Sequence, residues 1–132
     1  TWAGGNLYAA GQFATAGGVR ANSVARWDGT SWSALGEGVD GLVYALAWDG
    51  ANLYVGGDFR TAGGQPANHI ARWDGTRWST LGSGMDDVVL ALAWDGRSLY
   101  AGGAFTTAGG QPARGIARWT MDQVEPCARK LE

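Results

Sequence analysis

A repeat of 46 residues, free of insertions and deletions, constrains this chain more than any other feature. The string LYAAGQFATAGG at Leu7 returns as LYVGGDFRTAGG at Leu53 and as LYAGGAFTTAGG at Leu99. ARWDGTSWSALG at Ala25 returns as ARWDGTRWSTLG at Ala71 and begins again as ARWT at Ala117. YALAWDG at Tyr44 returns as LALAWDG at Leu90. The spacing divides the chain into a first repeat at 1–41, a second at 42–87 and an incomplete third at 88–119. Residues 120–132 form an aberrant tail.

Within a repeat the apolar runs are short, rich in β-branched and aromatic residues, and separated by turn residues. Four strands per repeat are expected, in the middle copy roughly over 42–48, 52–57, 68–73 and 77–81. Asp49-Gly50 and Asp74-Gly75 predict tight hairpins with positive φ, so consecutive strands should pair antiparallel. The run Ala62-Gly63-Gly64 predicts a longer loop, and Gly82 to Asp87 the connection to the next repeat. No stretch free of glycine carries a helical period, so essentially no helix is expected.

In Leu42 to Trp48 both faces are apolar, which implies a sheet covered on both sides. A four-stranded sheet of this length, repeated and stacked, describes the blade of a β-propeller. The fold class expected is therefore all-β, with about three four-stranded antiparallel blades per chain. Small residues such as Ala45, Ala47, Gly56 and Gly57 would let neighbouring blades approach. An open β-solenoid is the competing architecture, disfavoured because its repeats are usually shorter.

The string LYVGGDFRTAGGQPANHIARWDGTRWSTLGSGM resembles the kelch-like propeller repeats of bacterial secreted proteins. It is also similar to repeats in fungal cortical-marker proteins of cell polarity. The resemblance runs to Trp119, and it implies a four-stranded blade and an extracellular or cell-surface setting. It carries no catalytic motif onto this chain. The paired glycines of the kelch pattern match Gly56-Gly57 and Gly102-Gly103, whereas the first copy departs with Ala10-Gly11.

Three tryptophan columns follow the repeat: Trp2, Trp48 and Trp94; Trp27, Trp73 and Trp119; Trp32 and Trp78. Val124 stands where the last column would continue, and Cys127 continues the column of Leu35 and Leu81. The tail is thus either a degenerate last strand or unrelated sequence. Leu131-Glu132 has the look of a cloning scar, with a genuine tail as the alternative. The start at Thr1, without Met, is read as that of a processed or excised segment.

Composition narrows the function classes. Ten basic residues against twelve acidic ones give a net charge of −2, which argues against nucleic acid or an anionic membrane as the main partner. No apolar run approaches the ~20 residues of a bilayer span. The single cysteine, Cys127, makes no intrachain disulfide and no zinc cluster. Glycine supplies 23 of 132 residues with only 3 prolines, the profile of a turn-rich fold and not of collagen.

The conspicuous side chains read first as structure. Recurrence at fixed positions makes the tryptophans blade-packing residues, with a sugar-stacking platform as the alternative. Arg26, Arg72 and Arg118 need acceptors in a covered sheet, and the Asp-Gly aspartates Asp28, Asp74, Asp49 and Asp95 are the expected partners. His69, in the column of Ser23 and Gly115, is read as a solvated loop-edge residue. Asp86 and Asp87 with Asp58 fit no calcium loop. The repeated Ser and Thr positions lack an activating histidine column, so no catalytic residue, metal or cofactor is expected.

Two further expectations concern partners. If a protein or glycan ligand binds, the loop 62–67 and its copies 16–21 and 108–113 should carry it, with Arg20, Asn22, Asn68 and Arg114 as candidates. An arc of three blades would leave an apolar face at each end, and head-to-tail association with itself would cover both. A homodimer giving six blades is favoured, and a trimer giving nine is the alternative. A non-enzymatic binding module is the expected function. The alternatives are a purely structural segment of a larger surface protein, a lectin with Trp-based sugar sites, or an enzyme completed by other domains.

Overall fold

The computed structural model describes residues 2–120 and 123–126. Their regular structure is entirely β and falls into three four-stranded antiparallel sheets and three two-stranded hairpins. The first sheet holds Trp2–Ala3, Asn6–Ala10, Val24–Trp27 and Trp32–Ala34. The second holds Leu42–Trp48, Leu53–Asp58, Ile70–Trp73 and Trp78–Thr80. The third holds Val89–Trp94, Leu99–Gly103, Ile116–Thr120 and Gln123–Pro126. In each sheet the strands neighbour one another in chain order, so every repeat is a meander.

The register is the same in all three. Leu7, Leu53 and Leu99 lie opposite Trp27, Trp73 and Trp119. Trp27 and Trp73 in turn lie opposite Trp32 and Trp78, and Trp119 lies opposite Val124. The outer strand of the third sheet therefore keeps the backbone pairing while its sequence departs from the repeat. Cys127 and the rest of the tail lie outside the described residues. The first sheet differs at its inner edge, where Trp2–Ala3 pairs only with Asn6 and Leu7.

The Asp-Gly turns differ from the expectation. Only the glycines take positive φ (101° at Gly29, 103° at Gly50, 104° at Gly75), and the aspartates do not. Each aspartate instead caps the loop with its carboxylate. Asp49 Oδ1 accepts from the amides of Ala51 and Asn52 at 2.8 and 2.7 Å, and Asp28, Asp74 and Asp95 repeat the arrangement. The backbone closes the same loop, Asp49 N–H donating to Asn52 O at 3.1 Å.

The Ala-Gly-Gly segments are also tighter than expected. Thr61–Ala62 and Gln65–Pro66 pair as a two-residue hairpin across Gly63-Gly64, whose φ values are 60° and 78°. Two successive positive φ angles are what a type I′ turn requires and what side chains resist. Thr15–Ala16 with Val19–Arg20, and Thr107–Ala108 with Gln111–Pro112, form the same hairpin.

A linker ties each sheet to the next at the hairpin end. Val39 bridges Ala62, Gly63 N–H donates to Gly38 O at 2.8 Å, and Val39 N–H donates to Asn22 O at 3.2 Å. One repeat later Met85 bridges Ala108, and Gly109 and Met85 make the matching bonds to Gly84 O and Asn68 O. Asp40 Oδ1 accepts from the amides of Arg60 and Thr61, and Asp86 Oδ1 from those of Thr106 and Thr107. Each linker is thus clamped to the hairpin of the repeat behind it and the repeat ahead.

Asp86 shows what this clamp does to acidity. The Thr106 hydroxyl, then the amides of Thr107 and Thr106, hold its carboxyl at about 2 against an ordinary 3.8. A carboxyl with a depressed folded pKa contributes stability above its unfolded pKa and loses it as pH falls through the folded one. We expect acid unfolding, followed by Trp fluorescence, to develop as pH falls from about 4 through about 2. Asp86→Asn should make that limb shallower without abolishing it, because the carboxyls of Asp28, Asp40, Asp49, Asp74 and Asp95 are lowered too. It should leave stability above pH 5 independent of pH.

The core lies between the sheets and not within any one of them. One apolar cluster joins Tyr8 and Val24 of the first sheet to Val43, Leu53, Val55, Trp73 and Trp78 of the second. The other joins Ala47, Tyr54 and Ile70 of the second to Val89, Leu99, Ala101, Ala117 and Trp119 of the third. Phe59 and Phe105, on the loops that lead into the hairpins, fill equivalent positions in the two clusters. Each such side chain, fully buried, contributes about 1.5–3 kcal/mol, so the contacts between repeats dominate the fold.

Candidate functional site

The linkers, hairpins and strand ends of neighbouring repeats meet at one end of the sheets, and there the surface is concave. A groove of about 820 Å³ lies between the first and second repeats. Its walls include Phe13, Asn22 and Ser23 of the first repeat, and Glu37, Asp40 and Thr61 from the linker and the next hairpin. Ser23 stands at φ 73°, in the left-handed region that L side chains rarely adopt, and so does Asn22 at 38°. Such strain, of order 1–3 kcal/mol, persists only where the surroundings over-determine it. Here the linker and the repeat's own loop do so: Asn22 Nδ2 donates to Glu37 O of the linker at 3.0 Å, and Ser23 N–H donates to Phe13 O ahead of the hairpin at 2.7 Å.

His69 corrects the expectation made for it. It is buried, not solvated, with Nδ1 3.3 Å from Gly57 O and a φ of 69°. Its repeat mates Ser23 and Gly115 share the positive φ, at 73° and 76°. The backbone shape of this column therefore belongs to the repeat, and only its side chain varies.

The binding candidates separate into two kinds. Asn22 and Asn68 are spent on structure, since Asn68 Nδ2 donates to Ser83 O at 3.3 Å just as Asn22 does to Glu37 O. Arg20 and Arg114 are exposed, Arg20 on the first hairpin and Arg114 beyond the third, so the fold does not bring all four into one site. Glu37, Asp40 and Thr61 were missed as groove residues. The recurrence of Asp40 as Asp86 was the available signal.

Two members of the arginine column bond a serine across the sheet, and Arg26 also acts electrostatically on Asp28 as expected. Arg26 Nε donates to Ser33 Oγ at 3.3 Å and Arg72 Nε to Ser79 Oγ at 3.2 Å, both across a strand pair. The turn aspartates are occupied by loop amides, which satisfy a carboxylate without ordering a long side chain. Arg118 lies opposite Glu125 in the same register. Asp49 takes a second partner, the Tyr54 hydroxyl, which donates to its Oδ2 at 2.8 Å. Burial, then that bond, pushes the Tyr54 hydroxyl up to about 12, so it stays a donor at any ordinary pH.

The tryptophan columns lie at the junctions between repeats. Trp73, Trp78 and Trp119 are buried, and Trp27, Trp32, Trp48 and Trp94 are half-buried; the Trp2 side chain lies outside the described residues. Trp78 Nε1 donates to Leu35 O in the preceding linker at 2.6 Å. Tyr8 stacks on Trp48 and Tyr54 on Trp94, with centroids 6.2 and 6.5 Å apart. Of the paired glycines only Gly56 sits at a junction, where an added Cβ would lie 2.6 Å from Val89 Cγ1 of the next sheet; on Gly57 a Cβ would lie 2.1 Å from Leu42 O of the adjoining strand in its own sheet.

No group of three or more His, Cys, Asp and Glu side chains converges as metal ligands among the described residues. The first strands of the second and third sheets carry one irregularity each, between Val43 and Ala45 and between Val89 and Ala91. These bulges turn Tyr44 and Leu90 outward, at 50% and 53% exposure.

The family model described as domain of unknown function (DUF5122) beta-propeller matches residues 52–73. That span covers the Leu53–Asp58 strand, the Gly63-Gly64 hairpin and the Ile70–Trp73 strand of the second sheet. No curated protein and no solved structure matches the chain.

Proposed function

We propose that this chain is a non-enzymatic, kelch-like β-propeller module that self-assembles into a closed ring and binds a protein or glycan at its hairpin end. The observation that carries this reading is the inter-repeat junction. Two successive junctions bury the same columns, in a family-model context described as a β-propeller. Each sheet is then one blade, and a chain supplies three of them. Two chains give the favoured six blades and three chains give nine, against the four to eight usual in propellers.

The apolar columns are consumed by blade packing, so recognition falls to the polar end where linkers and hairpins converge. The groove between the first two repeats offers the Glu37 carboxylate and the Phe13 ring, with Asp40 and Thr61, held to each other across the linker, in its wall. Acceptors beside an aromatic edge suit a neutral polyol such as a sugar. A glycan array tests this directly. Reproducible hits should lose at least tenfold in affinity on Glu37→Ala, which removes the carboxylate and leaves the linker backbone in place. Hits insensitive to Glu37 would move the site, and an empty array would favour a protein ligand or a purely structural role.

A further inference from the structure

The two internal junctions have the same two halves. One half comes from the leading repeat: Ala47, Tyr54 and Ile70 in the second junction, with Tyr8 and Val24 their counterparts in the first. The other half comes from the following repeat: Leu53, Val55, Phe59 and Trp73 in the first junction, and Leu99, Ala101, Phe105 and Trp119 in the second. Each half occurs once more in the chain, unpaired, at its two ends. Val24 and Ile70 are fully buried, yet their repeat mate Ile116 is 48% exposed. Ala47 is buried, and its mate Ala93 is exposed. At the other end Leu7, Ala9, Phe13 and Trp27 are half-buried, although both repeat mates of each are buried.

Glycine geometry reports the same difference. At Gly56 an added Cβ meets Val89 and Leu92 of the next sheet, whereas at its mate Gly102 the nearest atom is Gly115 O at 3.7 Å. The third sheet therefore offers, open, the surface that the first two sheets use to receive a neighbour.

We propose that these two faces are the halves of one heterologous joint, filled by a second copy of this chain. The face of Ala93, Gly102 and Ile116 on one copy receives the face of Leu7, Ala9 and Trp27 on the other, in the geometry of the internal junctions. This rests on the ring reading above and adds to it the identity and polarity of the contact. The occupant is a second copy because the chain itself presents the complementary half, in the columns that already fit twice. Like-with-like pairing would set two receiving faces together, which neither internal junction does. Head-to-tail contacts of this kind close a ring when the rotation permits, and Ile116 with Trp27 then lies at the centre of each joint.

The test uses the full chain, its mass measured by light scattering and its fold checked by circular dichroism. Ile116→Arg places a charge on one face only, and Ala9→Arg on the other only. Each variant alone should fall from the wild-type multiple to the single-chain mass, because every head-to-tail joint needs both faces. Mixed one to one, the two should recover a species of two chains, joined by the one intact pair of faces. Ala93→Arg repeats the first loss independently should Ile116→Arg not fold. Leu90→Arg, equally exposed but outside both faces, should keep the wild-type mass. A wild-type multiple that survives Ile116→Arg and Ala93→Arg would overturn the joint while leaving self-association standing. A wild-type chain that is already monomeric and folded would overturn both.

Discussion

Trp78→Ala is expected to destabilise the chain by about 3–5 kcal/mol. Its indole is buried against Trp73, with ring centroids 5.2 Å apart, and packs over Gly36 and Gly63. Truncation leaves a void at the junction and an unmatched Leu35 carbonyl, whose bond from Nε1 at 2.6 Å disappears. Leaving that carbonyl buried without a donor adds about 1–3 kcal/mol at the upper end of the range. Trp32 has the same register against Trp27 but no preceding repeat to cover it, and it is half-buried. In an Ile116→Arg background, where the end faces stay apart, Trp32→Ala should therefore cost clearly less than Trp78→Ala. Urea unfolding of the two variants measures the difference; equal losses would show that the junction is not where the indole contributes.

The second large effect is expected at Gly56. Its backbone is ordinary, so the restriction is purely one of space: the Cβ would sit 2.6 Å from Val89 Cγ1 and 3.2 Å from Leu92 Cδ1. Overpacking of this kind costs about 1–3 kcal/mol. Gly56→Ala should lie near the lower limit, because Ala10 occupies the same column at the first junction beside Leu46. Gly56→Val should reach the upper limit, since two further methyl groups must enter the third sheet. Gly102→Ala is the internal control: with nothing nearer than 3.7 Å, it should leave the unfolding midpoint of a monomeric background unchanged.

Much of the architecture was legible from the repeat. Columns of Leu, Trp and Ala at 46-residue spacing gave four strands per unit, and the observed pairing of Leu53 with Trp73 and Trp73 with Trp78 follows those columns. What remained hidden depends on groups that contact residues distant in sequence. Asp49 looked like a turn former and an arginine partner. Loop amides 2.7–2.8 Å away satisfy it better than a long side chain does. Asp86 falls in the predicted connection to the next repeat, and its role is hidden there because the amides that it and its repeat mate Asp40 hold lie twenty positions further on. His69 looked exposed because a lone polar residue beside Asn68 resembles a loop, while the column's left-handed backbone turns it inward.

Ala-Gly-Gly predicts a longer loop because Gly-Gly is equally compatible with flexibility and with a type I′ turn. Pairing between Thr61 and Pro66 decides for the turn. The groove was harder still. It is built from the first repeat, the linker and the second hairpin together, and no single stretch of sequence contains it.

If the ring closes by self-association, the mass of the wild-type protein in solution is fixed. Light scattering after size exclusion should give a whole multiple of the 13.8 kDa chain, two copies in the favoured arrangement, with no growth into larger species on concentration. A folded protein at 13.8 kDa that stays so across the concentration range would contradict closure by self-association.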